Sequence, residues 1–333
     1  MGISRPLPVT CGGHTRPVVK INFSQITPDG YFIISASKDK KPMLRQGNTG
    51  DWIGTFMGHK GAIWDAALDD QAIRAATASA DFTAKLFSAI NGNELYSFTH
   101  GHVVKCVDFS KSSKTKANMP SKLMTGSNEK IVRVYDLENY DKEPVIYKTN
   151  SNLKDLTFLQ NDNNILTLSE DNILRLFATN TSNDKEIKTF DLKEDANGME
   201  LSHDQTILTI SHKHTITFFD IINFQVIKKF VSQILISSAS LKPDKSCCVY
   251  AGRDDYKIYK INYKTLEQID TEFKAHFGAI NSIKCGPDNE LFGTGSEDGY
   301  VKLWQFQPGK NYGLWTARIK DDDKVDDVSN SVE

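Results

Sequence analysis

The sequence predicts an all-β fold, a seven-bladed β-propeller closed by its own N-terminal strand. Three observations carry this. A pattern recurs seven times at intervals of 40 to 49 residues. The segments inside each copy are four to eight residues long, rich in Val, Ile, Phe and Thr, and bounded by turn signals such as Pro28-Asp29-Gly30, Asn91-Gly92-Asn93 and Pro287-Asp288. No extended stretch carries a 3.6-residue apolar period, so helix content should be small.

Two anchors define the repeat. One is a short apolar strand that ends about nine residues after a Gly-His-like pair; the other is a tight-turn Asp followed six residues later by an aromatic. Copy one has Gly13-His14, VVKINF and SASKDKKPMLRQ, with Arg45 where the aromatic should stand six after Asp39. Copy two has Gly58-His59, AIWDAAL and TASADFTAKLFS, with Phe87 six after Asp81, so Trp64-Asp65 is not its signature pair. Copy three has His100, VVKCVDF and TGSNEKIVRVYD, with Glu129 for Asp, Tyr135-Asp136 at the end, and a loop insertion over 111–120. Copies four, five and six are worn: LSEDNILRLFA keeps Asp171 and Phe177, ISHKHTITFFD keeps Phe219-Asp220, GRDDYKIYKIN keeps Asp255, and none has a Gly-His pair. Copy seven, Ala275-His276, AINSIKC and TGSEDGYVKLWQ, satisfies both anchors through Asp298 and Trp304. The starts fall at 14, 59, 100, 149, 192, 232 and 276.

A four-stranded sheet cannot bury both faces alone, so such units stack radially around a channel. A ring must also close, or its first and last sheets expose edges. The last copy shows three strands, and the segment 6–11 before His14 has no sheet of its own. It is expected to supply the outer strand of blade seven. The propeller is expected over 1–318, and the acidic, apolar-poor 319–333, with DDDK and VDD, as a flexible tail.

These letters resemble the WD-repeat family. The resemblance implies a hydrogen-bonded set in each blade: the His, a Ser or Thr four before the turn Asp, that Asp, and the Trp. Carried over residue by residue, the set is complete in His276, Thr294, Asp298 and Trp304. It lacks the indole in His59, Thr77 and Asp81, where Phe87 cannot donate, and in His14, Ser35 and Asp39, where Arg45 stands.

Composition excludes several classes. With 39% apolar and 25% charged residues, 333 residues can bury a large core, and a net charge of −2 gives no broad field for nucleic acid. Five scattered cysteines without a C-x-x-C pair suggest neither a disulfide framework nor zinc. No secretory apolar region and no run of eighteen apolar residues occur, which points to the cytoplasm, leaves the nucleus open, and predicts no membrane contact. Pro6 replaces the Ser or Thr of a myristoylation site after Met-Gly. His212-Lys213-His214 lacks a third ligand and reads as a polar turn; Cys247-Cys248 reads as two strand thiols facing opposite ways; Gly293-Thr294-Gly295 lacks a following helix; the Asn180 sequon has no secretory route. No catalytic residue, metal or cofactor is expected.

The runs ITPDGYFIISASKDKKPMLRQGNTGDWIGTFMGHKGAIW, CGGHTRPVVKINFS, ADFTAKLF, AHFGAINSIK, SEDGYVKLWQ and GKNYGLW are similar to the serine/threonine kinase receptor-associated (unrip) branch of that family, closely at both ends and loosely from 139 to 231. Arg45-Gln46 in place of aromatic-Asp is the specific part. This resemblance implies a non-catalytic adaptor, monomeric by itself, that joins other proteins in a survival-of-motor-neuron-type complex for spliceosomal snRNP assembly, or in kinase-receptor signalling. RNA is then contacted at most indirectly. The alternatives are the WD-repeat subunit of eukaryotic translation initiation factor three, which shares GHKGAIW, and direct RNA binding by a basic rim with Arg16, Lys38, Lys60 and Lys105. The candidate protein-binding rim is Arg16, Lys60, Trp64 and Lys105, at or just before first strands. Trp64 has a second reading as a packing residue between blades, and Tyr312–Trp315 is expected to staple against blade seven.

Overall fold

The computed structural model describes residues 8–111, 121–159, 163–179 and 186–307. The expected insertion loop beyond Lys111, the Asn180 sequon, the Tyr312–Trp315 staple and the acidic tail lie outside these residues. Among the described residues there is no helix, and the strands form seven four-stranded antiparallel sheets. The seven-bladed propeller expected from the period is what the chain forms.

Strands are lettered a to d from the channel outward. Blade 1 comprises Val18–Phe23, Phe32–Ser37, Met43–Gln46 and Trp52–Thr55; blade 2, Ile63–Leu68, Arg74–Ser79, Thr83–Ser88 and Glu94–Thr99. Blade 3 is Val104–Phe109, Lys122–Ser127, Ile131–Asp136 and Val145–Lys148; blade 4 is Leu153–Phe158, Asn164–Ser169, Ile173–Ala178 and Glu186–Asp191. Blade 5 runs through Ala196–Leu201, Ile207–His212, Thr215–Asp220 and Gln225–Val231, and blade 6 through Ile236–Leu241, Cys247–Gly252, Lys257–Asn262 and Gln268–Lys274. Blade 7 has Ile280–Cys285, Leu291–Ser296 and Val301–Gln305 as a, b and c, and Val9–Cys11 as d.

That last pairing closes the ring: Val9, Thr10 and Cys11 lie opposite Leu303, Lys302 and Val301. The N-terminal strand therefore covers the edge that blade 7 would otherwise expose, as expected; of the predicted segment, 6 and 7 lie outside the described residues. Each strand a also touches strand a of the next blade, and that of blade 7 touches that of blade 1.

The core is divided as the blades are. Seven clusters of buried apolar side chains occupy the seven junctions between neighbours; one joins Ile34, Leu44 and Phe56 of blade 1 to Ile63, Ala66 and Phe87 of blade 2. Strand b is covered on both faces and is buried along its whole length in blades 2, 5, 6 and 7. Strand d of blade 5, QVIKKFV, alternates exposed and half-buried residues, as an outermost strand with one wet face must.

Two backbone features recur. The residue after the turn acid has a left-handed φ in six blades: Lys40, Phe82, Lys130, Asn172, Tyr256 and Gly299. The Gly of the Gly-His pair has φ 126° at Gly13 and 125° at Gly58, a region closed to most side chains, which explains why Gly precedes His there. In addition, every a–b ladder is bulged at the start of strand a, so that one residue per blade is skipped by the pairing.

Candidate functional site

The residues carried over from the repeat signature meet inside their blades. In blade 7, Trp304 Nε1 lies 2.9 Å from Thr294 Oγ1, Thr294 Oγ1 lies 2.7 Å from His276 Nε2, and His276 Nδ1 lies 2.8 Å from Asp298 Oδ2. The donors run one way: indole N–H to hydroxyl, hydroxyl to Nε2, Nδ1–H to carboxylate. Burial alone would raise the Asp298 carboxyl, but the His276 hydrogen bond and the backbone N–H groups of Tyr300 and Phe277 outweigh it and hold it low. His59, Thr77 and Asp81 repeat these distances at 2.7 and 2.8 Å, as do His14, Ser35 and Asp39. Where the indole is missing, blade 2 packs Phe87 fully buried against Phe56, with ring centroids 5.1 Å apart. In blade 1 Arg45 is itself buried, and its guanidinium donates to the carbonyl oxygens of Gly12 and Gly50.

Sequence reasoning missed how the other blades compensate. The residue four after the turn acid lies across the ladder from the Thr of the set, as Lys302 does from Thr294. In blade 3 this is Arg133, which binds Glu129 at 2.6 Å and donates to His100 Nδ1 at 2.7 Å. Burial, then the guanidinium, push the His100 pKa down to about 4. In blade 4 it is Arg175, fully buried, bonded to Ser169, Asp171 and Glu186. Thr149 stands where the His would be, and the Thr167 hydroxyl is left buried with no partner. In blade 6 Tyr259 takes the position, and its hydroxyl donates to Asp255. A long donor four residues after an acid was the available signal.

The bulges gather the second group. The skipped residues are Val19, Trp64, Lys105, Lys154, Asn197, Ser237 and Asn281, one from each blade, and together they line one open cavity of about 460 Å³ at the channel mouth. A bulge redirects the side chain it frees, and seven of them make a ring. Of the candidate rim, Trp64 and Lys105 belong to this ring and touch: the Lys105 ammonium sits 3.6 Å from the Trp64 ring centroid, and Lys38 from the blade 1 turn sits at 5.9 Å. Trp64 thus lines the channel mouth and also packs against Lys38 of blade 1 and Lys105 of blade 3. Arg16 and Lys60 are exposed in the loops beside their histidines and do not line this cavity; the Lys60 N–H donates to Asp81, and the Arg16 carbonyl accepts from Ser37.

One residue further along, the channel is crossed by charge. Lys20 Nζ lies 2.9 Å from both Asp65 and Asp155, which ties blade 1 to blade 2 and, across the channel, to blade 4. Burial opposes the Lys20 ammonium, but the two carboxylates outweigh it and raise its pKa. The same acids accept backbone N–H groups of the following blades, Val107 and Met199. Deeper still, Lys284 pairs with Glu200 at 3.3 Å.

Other marked residues stay structural. His212 is buried and bonds Thr217, His214 bonds the Ile234 carbonyl, and the described residues hold no group of three or more potential metal ligands. Cys247 and Cys248 are buried free thiols, raised by that burial.

The family model of the WD domain, G-beta repeat, matches residues 50–88, 92–136 and 267–305. The serine-threonine kinase receptor-associated protein of Gallus gallus is 44% identical over 97% of this chain and 89% of its own length. The chain belongs to the serine-threonine kinase receptor-associated protein family. The family member from Dictyostelium discoideum is 36% identical over 90% of this chain and 98% of its own. Eukaryotic translation initiation factor 3 subunit I of Caenorhabditis elegans is more distant, at 26% identity over 90% and 96%. The family's WD40 propeller is a protein-interaction scaffold, and the ring at the channel mouth brings one freed side chain from each blade to a single surface.

Proposed function

We propose that this chain is a non-catalytic adaptor that holds protein partners within a survival-of-motor-neuron-type assembly for spliceosomal snRNPs. Full-length likeness to the serine-threonine kinase receptor-associated proteins carries the reading, at 44% identity against 26% for the initiation factor subunit. The polar groups that would suggest acid–base chemistry are absorbed in holding blades together, as His276 and Asp298 are. Kinase-receptor signalling, named in the relatives, is the second setting for the same adaptor. We place its contacts on the face that carries the channel mouth, at Arg16, Lys60, Trp64 and Lys105. Affinity purification from the source cells with mass spectrometry tests the assignment: Sm and Gemin-like proteins support it, and initiation factor subunits replace it. Arg16→Glu with Lys60→Glu is expected to abolish partner capture; undiminished capture removes those two residues from the surface.

A further inference from the structure

The lysines of the channel-mouth cavity differ in one respect. Lys20 is held by Asp65 and Asp155, Lys154 by Asp195 at 2.7 Å, and Lys284 by Glu200. Lys38 and Lys105 make no ion pair among the described residues; both are half-buried, and both face the Trp64 ring. Burial outweighs the attraction of the Glu170 carboxylate and disfavours the Lys105 ammonium, so two cations without a close ion-pair partner, sharing one aromatic, leave the mouth ready for an anion. The Trp64 indole N–H is buried without an acceptor, so no hydrogen bond fixes the ring. Across the cavity stand Asn197, Ser237 and Asn281, whose N–H and O–H groups already donate to the backbone carbonyls of Ile236, Ala251 and Val18.

We propose that the Lys38–Trp64–Lys105 corner binds an aspartate or glutamate side chain on an extended acidic segment of a partner protein. With their donors used inside the chain, the oxygens of Asn197, Ser237 and Asn281 suit that segment's peptide N–H groups. The inference rests on the adaptor reading and names the partner chemistry of its channel-mouth face.

The geometry favours this class over two others. A nucleic acid needs several phosphate-neutralising cations. Only two of the described lysines here are unpaired, and Lys105 already covers a face of Trp64 on which a base would stack. A phosphorylated side chain is best held by the forked donors of arginine, and no described arginine lines the mouth.

The test is fluorescence anisotropy of the full chain with a fluorescein-labelled Glu-rich dodecapeptide, its phosphoserine counterpart and an oligouridylate. Binding of the Glu-rich peptide, weakened about tenfold or more by Lys38→Glu with Lys105→Glu, supports the proposal. Lys148→Glu with Lys264→Glu makes the same charge change on an outer strand and a remote turn, and should leave that affinity within about twofold. If the reversed pair fails to fold, Lys38→Met with Lys105→Met takes its place. The peptide should also change Trp64 emission, a change that Trp64→Phe removes. No binding, equal loss in the remote pair, or preference for oligouridylate or phosphopeptide overturns the proposal. Should partners still be captured from cells while the peptide does not bind, this inference fails and the adaptor reading survives.

Discussion

Histidine does the same structural job in four blades with two different proton placements. In blades 1, 2 and 7 the Nδ1–H faces an aspartate, so Nε2 accepts from Ser35, Thr77 or Thr294. In blade 3 the Arg133 guanidinium donates to His100 Nδ1, which must then be unprotonated. With its pKa lowered to about 4 in the folded chain against about 6.5 unfolded, His100 supports the fold above pH 6.5 and withdraws that support as pH falls toward 4. The stability difference between the native chain and His100→Gln should shrink by up to roughly 3 kcal/mol over that window in denaturant titrations; a pH-independent difference would refute this. The Asp65 pKa moves the other way. Burial chiefly raises it, with Asp155 adding and the Lys20 ammonium opposing.

Hydroxyls at one register position give a matched pair. Thr294 accepts from Trp304 and bonds His276, so Thr294→Val strands two buried groups and should cost roughly 2 to 4 kcal/mol. Thr167 occupies the same place in blade 4 with its hydroxyl buried and unpartnered, so Thr167→Val should be neutral or stabilising. Equal losses in thermal unfolding would contradict the partner-based account.

In six of the seven blades, the turn between strands b and c is what persists when the rest of the signature wears away. Blades 4 and 6 have no signature histidine, yet Asn172 and Tyr256 keep the left-handed conformation that Lys40, Phe82 and Lys130 adopt. Holding a residue with a Cβ there costs about 1 kcal/mol or more, whereas glycine enters the region freely and loses only about 0.5–1 kcal/mol of chain entropy. Lys130→Gly should therefore stabilise by up to about 0.5 kcal/mol, read as a higher denaturation midpoint at unchanged slope; a clear loss would show that Lys130 does more than turn the chain. Strand and turn pattern was legible because it is local: Asp298 and Trp304 lie six apart on the same hairpin. Arg175 was not legible as a core residue, because an arginine in a strand reads as solvated until Ser169, Asp171 and Glu186 are seen around it.

Across the ring as a whole, the channel is where distant parts of the sequence meet. Lys20 and Asp155 are 135 positions apart and share a 2.9 Å contact. Lys20→Met leaves two buried carboxylates facing each other and should cost about 3 kcal/mol or more, while adding Asp65→Asn and Asp155→Asn should recover much of it. Calorimetry decides: no recovery would mean that Lys20 acts through packing and not through charge.

The period and the seven sheets were readable from the letters alone, because they rest on strand and turn chemistry repeated within a few residues; the closing strand followed from the edge a ring cannot leave open, and the family from the resemblance of particular runs. It took the folded ring to show that Trp64, Lys105 and Lys154 share one cavity while Arg16 and Lys60 stand apart from it. Which side chains face the channel depends on one skipped residue per inner strand and on the ring closing at seven. A one-residue shift of register exchanges the faces of a strand, and nothing in the letters of GHKGAIWD fixes that shift until the next strand is paired.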